Sequence, residues 1–394
     1  LFDIPIITCN MFQGPRVEGL VENVNTWDGV VDLAKQAHFK QPSAPLIVTE
    51  YWDGWFDYWG CENHQTKDGW EVARRAMETL GCGAMYNYYM FHGGTNFDFW
   101  GSRLRENQGS FQTTSYDYDA PIAEGGGLTP KYYATRLVNM LAQYMGQFFA
   151  SSYVEDPGMT VKDQTQVLNL AGVLGRWAVV TNNGRSEIET VEVSLPDGEV
   201  ELTIPLGPIG AAAIPIDIEL APTLTLDYAG LTPLGFFWNK VLALHGPAGF
   251  TAPVSVNGVV ERVTVPDRHE PALVEVAGLT VATLNTDTAQ RTWYVDDQLL
   301  IGPVFVGASV DDITLAEGET GYVILASDGT LGRKRPKVVE AAVVRPPKLA
   351  AWKKIAVCTE PTDDDLTWTK MDRPKTVDQI GHHYGYAWYR TEIY

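Results

Sequence analysis

One carboxylate at the end of an apolar run, followed by closely spaced tryptophans, is the pattern in this sequence best suited to chemistry. In residues 45–60, PLIVTEYWDGWFDYWG, the apolar run leads to Glu50, and Trp52, Trp55 and Trp59 follow it. A buried strand seldom carries an unpaired carboxylate, because burying an isolated charge is costly. Indole rings stack on the apolar face of a sugar, and carboxylates hydrogen-bond its hydroxyl groups. The stretch therefore predicts a carbohydrate-active site with Glu50 as a catalytic carboxylate and with Trp52 and Trp55 as its walls. A structural glutamate paired with an arginine is the alternative.

Hydrolysis of a glycosidic bond also needs a second carboxyl group. One carboxyl protonates the leaving oxygen, and the other acts as nucleophile or base; in retaining enzymes the two lie about 5–5.5 Å apart. The position of Glu50 at a strand end suits the nucleophile. Spacing alone selects no partner among the other carboxylates near the motifs, which are Asp53, Asp57, Asp98, Asp117, Asp119 and Glu124.

Two further segments downstream combine polar and aromatic residues. Residues 90–97, MFHGGTNF, place His92 and Asn96 around a glycine pair, which permits a tight turn or a close approach of backbone to a ligand. Both side chains are predicted to hydrogen-bond sugar hydroxyls, and a loop that they stabilise by themselves is the alternative. Residues 114–121, TSYDYDAP, carry tyrosines and aspartates that suit a sugar site as well as an exposed turn.

Composition limits the class of protein and of partner. The 394 residues are 45% hydrophobic, which suffices for large cores and for about two to three domains. A formal net charge of -20 argues against nucleic acid, because a phosphate backbone requires a basic surface. No apolar run approaches the roughly 20 residues of a membrane helix, so we expect no membrane partner. Neither metal-ligand spacing nor a disulfide framework relates the four cysteines, which are Cys9, Cys61, Cys82 and Cys358.

The first 150 residues alternate strands and helices. Strands are predicted at 4–9, 21–24, 46–49 and 83–91, and helices at 30–37, 68–80 and 130–149. Repeated β-α units imply a parallel sheet. The polar and aromatic residues follow strand ends, as in a (β/α)₈ barrel, and the absence of a glycine-rich phosphate loop weakens the doubly wound alternative. Only three or four units are visible where a barrel needs eight, so 1–150 is predicted to be the C-terminal portion of a TIM barrel.

Helix ends are marked by local signals. Asp68 and Glu71 form a capping-box-like start to the second helix, and Gly81 is expected to end it. Thr129 and Pro130 supply an N-cap and a first-turn proline for the third helix.

The pattern changes at about residue 154. Short alternating strands with Asn-Gly and Asp-Gly turns follow, with almost no helical periodicity up to residue 345. They predict antiparallel β-sandwich domains at 151–218 and 219–345. A proline pair at 346–347 indicates a linker, and residues 346–394 are expected to begin a further β module that is not completed. Both ends of the chain fall close to predicted strands, which suggests that the sequence is cut at each end.

Four motifs in this order resemble those of the family 35 glycoside hydrolases, the retaining β-galactosidases. They are the Thr-Cys-Asn segment at 8–10, TEYWDGWFDYWG at 49–60, YMFHGGTNF at 89–97 and TSYDYDAPIAEGG at 114–126. The resemblance covers about residues 1–145 well and continues weakly in the β half. It returns in GYAWYRTE at 385–392, which is similar to the start of the family's terminal jelly-roll modules.

The resemblance implies specific roles and a specific reaction. It assigns the nucleophile to Glu50, a galactose contact to Tyr118 and the hydrophobic sugar platform to Trp55. The family's acid/base glutamate lies in an Asn-Glu pair on an earlier strand, and no such pair precedes the 8–10 segment. We therefore expect it upstream of Leu1, and we expect residues 1–394 alone to be inactive. The implied substrate is a β-galactoside oligo- or polysaccharide, cleaved by double displacement without a cofactor.

Two alternatives remain beside this interpretation. One is an exo-glycosidase of the same architecture and another specificity, such as an exo-β-glucosaminidase. The other is a non-catalytic carbohydrate-binding protein that keeps the aromatic sugar contacts.

Overall fold

The structure is a computed structural model that describes residues 4–9, 17–97, 100–101, 111–150, 152–154, 160–161, 165–196, 198–336, 348, 350–353, 368–376, 378–381 and 387–391. Asn10, Asp98 and Cys358 lie outside the described residues, as does most of the predicted module at 346–394. Within that module the described residues include a 3₁₀ turn over Asp378–Ile380. The jelly-roll assignment stays a prediction.

Strands and helices alternate in the first 150 residues. The longer strands are rich in β-branched and aromatic residues, and the helices repeat apolar residues every three to four positions. In chain order the elements are β1 (Ile6–Thr8), β2 (Leu20–Glu22), β3 (Val24–Thr26), α1 (Val30–Lys40), β4 (Leu46–Tyr51), α2 (Gly69–Gly81), β5 (Ala84–Tyr88), β6 (Gly94–Thr95), β7 (Ser115–Tyr116), α3 (Pro130–Tyr144) and α4 (Gly146–Ala150).

A parallel sheet with the order β3-β4-β5 carries the Glu50 motif. Helices α1 and α2 connect its strands, so this part is a β-α-β-α-β unit. Strand β4 is longer than the predicted 46–49, because Glu50 and Tyr51 pair with Asn25 and Thr26 of β3. Glu50 therefore lies within the last residues of the strand and not after it. The parallel order fits a barrel segment, and closure into a (β/α)₈ barrel stays a prediction.

The cap predicted for α2 is present at its start and differs at its end. The carboxylate of Asp68 accepts a hydrogen bond from the backbone N–H of Glu71 at 3.0 Å. The helix runs through Gly81, and the residue with left-handed backbone is Gly83 (φ 68°). Gly81 is required for packing, since an added Cβ would lie 2.8 Å from the Cβ of Val179.

The third predicted helix is divided. Helix α3 ends at Tyr144, and the short helix α4 begins at Gly146, whose low helix propensity favours a break there. Pro130 occupies the first turn as expected. The Thr129 hydroxyl does not cap the helix; it donates instead to the carbonyl oxygen of Pro121 at 3.0 Å.

The rest of the described chain is almost entirely β. Its elements are β8 (Ser152–Val154), β9 (Thr160–Val161), β10 (Gln166–Gly172), β11 (Gly175–Thr181), β12 (Thr190–Ser194), β13 (Glu201–Pro205), β14 (Ala211–Ala221), β15 (Leu224–Ala229), β16 (Thr232–Phe237), β17 (Val241–Gly246), β18 (Thr251–Val256), β19 (Val259–Thr264), β20 (Ala272–Val276), β21 (Leu279–Asn285), α5 (Thr286–Gln290), β22 (Thr292–Val295), β23 (Gln298–Ile301), β24 (Phe305–Val306), β25 (Ile313–Thr314), β26 (Tyr322–Leu325) and β27 (Leu331–Lys334).

These strands form several sheets whose course differs from the predicted division. The largest has the order β19-β18-β15-β14-β11-β10-β8, and the others are β13-β12-β9, β16-β17-β21-β20, β22-β23-β26-β27 and β24-β25. The predicted boundary at 218/219 falls inside β14, which pairs with β11 before it and β15 after it, so the sheet is continuous there. Strands β17 and β21 are parallel and not antiparallel, because the chain crosses over through β18, β19 and β20 before it returns.

A shared apolar core joins the α/β part to the sheets. Helix α2 contributes Met77 and helix α3 contributes Leu141 to the same cluster as the strands β11 and β17. The Phe149 ring of α4 stacks on Trp177 of β11 with centroids 4.2 Å apart. A second core lies between the seven-stranded sheet and β12-β13, as in a β-sandwich. None of the helices in the described residues has the length and apolar character that crossing a membrane requires.

A buried histidine makes the β half sensitive to acid. His245 on β17 is 5% exposed, and neither ring nitrogen has a hydrogen-bond partner among the described residues. Burial lowers the pKa of His245 to about 4. Below about pH 6.5 the unfolded chain therefore binds a proton that the folded chain excludes, and stability falls as the pH drops towards 4, by about 3 kcal/mol from this residue.

We accordingly expect His245→Leu to lose less stability than the unchanged chain over this pH range. Urea unfolding at several pH values measures the difference. His38, which is exposed on α1, gives the matched control His38→Leu. An equal pH slope for the His245 variant and the unchanged chain would contradict the assignment.

Candidate active site

Glu50 is placed at the carboxyl end of the parallel sheet. Its Oε2 accepts a hydrogen bond from the indole N–H of Trp52 at 2.9 Å, and its side chain is partly exposed. The backbone N–H of Trp52 donates to the carbonyl oxygen of Thr26 at 3.1 Å, which anchors the indole next to the strand end. Within the described part of the chain, no lysine or arginine forms an ion pair with Glu50. The carboxylate is therefore accessible and aligned by one donor.

Aromatic rings form a continuous wall next to Glu50. Trp52 and Trp55 meet edge to face with centroids 5.4 Å apart, and Trp55 lies 6.1 Å from Tyr118. Tyr116 stacks on Tyr118 at 5.5 Å. The wall consists of Trp52, Trp55, Phe56, Tyr89, Tyr116 and Tyr118. Such a wall offers an apolar face for a sugar ring with phenol groups at its edge.

The phenols of this wall stay protonated. Burial raises the pKa of Tyr118 well above its ordinary value, and the nearby charges of Asp53 and Glu50 act in the same direction. The Tyr118 hydroxyl has no hydrogen-bond partner among the described residues, although the residue is only 1% exposed. Burial also raises the pKa of Tyr116, whose hydroxyl lies 3.3 Å from that of Tyr89. Neutral phenols can donate hydrogen bonds to sugar hydroxyls where their oxygen is accessible, and the hydroxyl of Tyr118 is buried in this structure.

Two glycines allow the loops of the site to touch. A Cβ on Gly54 would lie 1.6 Å from the carbonyl oxygen of Tyr118, and a Cβ on Gly93 would lie 2.4 Å from that of Asp117. Tyr118 itself adopts left-handed backbone (φ 63°), which is strained for a tyrosine and persists only where the surroundings enforce it. Glycine at these positions therefore lets the loop after β4 and the loop after β5 pack on the 117–119 turn.

The structure brings together Glu50, Trp52, Trp55 and Tyr118 among the predicted site residues. The side-chain N–H of Asn96 instead donates to the carbonyl oxygen of Thr113 at 3.1 Å, which is the loop-stabilising alternative. His92 is exposed, and its backbone forms a bridge with Ile122. Among the described residues, no hydrogen bond joins His92 or Asn96 to Glu50.

The other described carboxylates are enclosed or engaged. Asp53 is fully buried beneath the loop, and burial raises its pKa to about 7. Asp57 and Asp117 both approach His64, at 2.6 and 3.3 Å, and the hydrogen bond to Asp57 raises the pKa of that imidazole. The last two are held by side chains nearby, namely Asp119 by Lys131 and Glu124 by Ser115 and Thr95. None of the five is presented beside Glu50 as a free acid.

Sequence reasoning missed two residues of this site. Asn25 lies opposite Glu50 in the register, and its side-chain oxygen accepts a hydrogen bond from Thr49 at 2.7 Å. Tyr89 follows β5 and contacts Tyr118 with ring centroids 5.6 Å apart. The position of Tyr89 near the end of a predicted strand was a usable signal, whereas the three-residue strand with Asn25 gave none. In the described part of the chain, no group of histidine, cysteine and acidic side chains is arranged to hold a metal ion.

Comparison with known proteins agrees with this geometry. The family described as glycosyl hydrolases family 35 matches residues 6–141, which include β1 to most of α3 and every residue of the aromatic wall. The mouse "Beta-galactosidase-1-like protein" is 50% identical over 236 residues, 60% of this chain and 33% of that protein.

Two relatives named "Beta-galactosidase" are also similar. The dog protein is 30% identical over 306 residues, 76% of this chain and 42% of that protein. The human protein is 40% identical over 122 residues, 30% of this chain and 18% of that protein. The matched regions thus span well under half the length of these relatives. Through residues 6–141, the chain belongs to glycosyl hydrolase family 35.

Proposed function

We propose that this chain carries the nucleophile of a retaining exo-glycosidase that removes terminal non-reducing β-D-galactose from oligo- or polysaccharides. The observation that carries the proposal is the partly exposed Glu50 carboxylate, aligned by the Trp52 indole at 2.9 Å beside the aromatic wall. A carboxylate can also bind sugar hydroxyls, and the match of residues 6–141 to glycosyl hydrolase family 35 favours a nucleophile over a purely binding role. The relatives named β-galactosidase favour galactose as the sugar.

The reaction that the family resemblance implies is a double displacement. Glu50 attacks the anomeric carbon, a carboxylic acid protonates the leaving oxygen, and a water molecule then hydrolyses the glycosyl-enzyme. Trp55 provides the platform for the sugar ring. The resemblance assigns a galactose contact to Tyr118, whose hydroxyl is buried here and must become accessible to make that contact. The indole N–H of Trp52 keeps one Glu50 oxygen bonded so that the other faces the substrate.

The acid/base glutamate is expected from another strand of the complete active site. The resemblance places it in an Asn-Glu pair that precedes the 8–10 segment. None of the described candidates is offered as this acid, since Asp57, Asp117, Asp119 and Glu124 are bonded to other side chains and Asp53 is completely buried. Asp98 lies outside the described residues.

Trapping of the covalent intermediate tests the proposal. A 2-deoxy-2-fluoro-β-galactoside with a dinitrophenolate leaving group should label the longest natural protein that contains this chain, since such a leaving group needs no acid. Peptide mapping should find one fluorogalactosyl group on Glu50, and Glu50→Gln should prevent labelling. A label on another carboxylate, or no label in a protein that turns over nitrophenyl galactosides, would refute Glu50 as nucleophile.

A panel of nitrophenyl glycosides tests the sugar. We expect the galactoside to be hydrolysed fastest, and preference for a glucosaminide would establish the alternative specificity. A protein that binds galactose but neither turns over nor becomes labelled would be the non-catalytic binder.

The proposal predicts that the hydrogen bond from the Trp52 indole to Glu50 contributes to kcat. Trp52→Phe keeps a ring in the wall but removes the N–H that aligns Glu50. We expect kcat for the nitrophenyl galactoside to fall about 10- to 100-fold, because hydrogen bonds to charged groups contribute about 1.5–3 kcal/mol. Trp59→Phe is the control, as Trp59 is 67% exposed and outside the wall. Equal kcat values for both variants would contradict the alignment.

A further inference from the structure

Two lysines lie behind the aromatic wall and reach the same loop from different directions. Lys131, in the first turn of α3, is 4% exposed, and its ammonium donates to the carbonyl oxygen of Asp53 at 2.7 Å. Lys67, just before α2, donates from its ammonium to the carbonyl oxygen of Trp52 at 2.9 Å. These two carbonyls are consecutive in the loop that leaves β4 directly after Glu50 and Tyr51.

The same lysines also hold the opposite loop. The Lys131 ammonium donates to the carbonyl oxygen of Asp119 at 2.6 Å and to its carboxylate at 2.7 Å. That carboxylate accepts a further hydrogen bond from the backbone N–H of Lys67 at 2.7 Å. Asp119 follows Tyr118, so the lysines tie the loop that carries Trp52 to the turn that carries Tyr118. We call Lys67, Lys131 and Asp119 the lysine clamp.

The two loops joined by the lysine clamp are in close backbone contact at Gly54 and Tyr118. Gly54 meets the Tyr118 carbonyl so closely that an added Cβ would lie 1.6 Å from its oxygen. If the carbonyls of Trp52 and Asp53 moved, the indole of Trp52 would move with them, and its hydrogen bond to Glu50 would be lost. The position of the Glu50 donor is thus coupled to the position of the Tyr118 phenol.

Burying the charged groups of the lysine clamp is unfavourable if their only role is to stabilise the fold. Burial lowers the pKa of Lys67 to about 8, and its ammonium also lies 3.8 Å from the centroid of the Trp27 ring. Replacing buried charges with apolar side chains is often neutral or stabilising, so a buried ionic group is weak support for a purely stabilising role. A role in fixing geometry accounts better for two lysines on consecutive carbonyls.

We propose that Lys67 and Lys131 are positioning residues of the glycosidase site, which hold the Trp52 indole against Glu50 and the Trp55 loop against Tyr118. This inference rests on the proposed function of Glu50. The lysines do not contact the reacting atoms; they act through the backbone carbonyls of Trp52 and Asp53.

The test compares Lys67→Met, Lys67→Arg and Lys131→Met with Lys240→Met in the longest natural protein that contains this chain. Lys240 is a matched control, since its ammonium also donates to a backbone carbonyl, that of Asp328 at 2.8 Å, in the β half. Lys67 is only partly buried, so its variants keep the test decisive if Lys131→Met fails to fold.

Hydrogen–deuterium exchange measures whether the lysine clamp restrains the two loops, and it does not require catalytic activity. We expect Lys67→Met to speed exchange in peptides covering 51–57, because its side chain bonds only that loop and its backbone N–H keeps the bond to Asp119. Lys131→Met loses bonds to both loops and should speed exchange in 51–57 and in 115–121, with no change in peptides of β17 and β21. Lys240→Met should leave both site segments as in the unchanged protein. Unchanged exchange in 51–57 for Lys67→Met would overturn the clamp.

The values of kcat and KM test whether the lysines position the site for catalysis. We expect Lys67→Met to lower kcat for a nitrophenyl galactoside about tenfold and to leave KM within about twofold, and Lys67→Arg to recover most of kcat. Faster exchange with unchanged kcat and unchanged labelling of Glu50 would reduce the lysines to structural residues and overturn the proposal. If the unchanged protein is not labelled at Glu50, the proposed function fails, while the exchange experiment still decides whether the two loops are clamped.

Discussion

Glu50→Ala should abolish turnover of β-galactosides and should convert the protein into one that makes α-galactosyl azide. Removing a group that acts in the covalent step costs roughly 10⁴-fold or more in kcat. Without the carboxylate, azide can occupy the space beside Trp52. It can then attack the anomeric carbon of a dinitrophenyl β-galactoside from the face that Glu50 would attack, opposite the leaving group. A single displacement inverts the configuration, so the azide product is α. Proton NMR of the product measures its configuration.

The stereochemistry of the azide product separates nucleophile from acid/base. Loss of an acid/base group leaves the nucleophile in place, so that two displacements would give the β-azide. Glu124→Gln is the matched control, because Glu124 is a nearby carboxylate bonded to Ser115 and Thr95. It should give no α-azide. An α-azide from the Glu124 variant, or a β-azide from Glu50→Ala, would assign the roles differently.

Gly54→Ala should disrupt the site and destabilise the α/β part. The new methyl group would lie 1.6 Å from the Tyr118 carbonyl oxygen and 2.9 Å from its carbonyl carbon, and both are backbone atoms that cannot rotate away. The two loops must therefore separate, at a cost of about 1–3 kcal/mol or more. We expect a lower Tm and a loss of galactoside turnover, measured by thermal unfolding and initial rates.

A second glycine provides the comparison for this prediction. Gly125 is exposed, and a Cβ there would meet nothing within 4 Å. Gly125→Ala should keep both Tm and turnover close to those of the unchanged protein. Equal behaviour of the two alanine variants would show that the loops do not approach as closely as the structure places them.

Local signals predicted many of the elements and some of their ends. The apolar run before Glu50 predicted β4, and the helical spacing after Asp68 predicted α2 with its side-chain cap. The strand end was placed too early, because the pairing of Glu50 with Asn25 depends on a strand far earlier in the chain. The boundary at 218/219 was placed inside β14 for a similar reason, since turn residues mark hairpins and not the limits of a sheet.

Motif order and local pattern in the sequence indicate the family and the candidate residues of its site. The order of the four motifs and the tryptophans around Glu50 were enough to indicate the family and to name Glu50, Trp52, Trp55 and Tyr118. The tertiary structure determines which groups each polar side chain contacts. Asn96, which the sequence predicts to bond a sugar hydroxyl, donates to the carbonyl oxygen of Thr113. Lys67 and Lys131, which no sequence pattern singles out, donate to the carbonyl oxygens of the loop after Glu50.

The physical reason is the range over which each kind of information acts. Strand pattern, turn chemistry and capping depend on neighbours within a few residues, and the sequence displays them directly. Hydrogen bonds such as that of Lys131 to Asp53 join residues 78 positions apart, and only the packing of α3 beneath the β4 loop brings them together. The sequence therefore indicates the carboxylate and part of its aromatic wall, and the fold places the distant side chains that contact their loops.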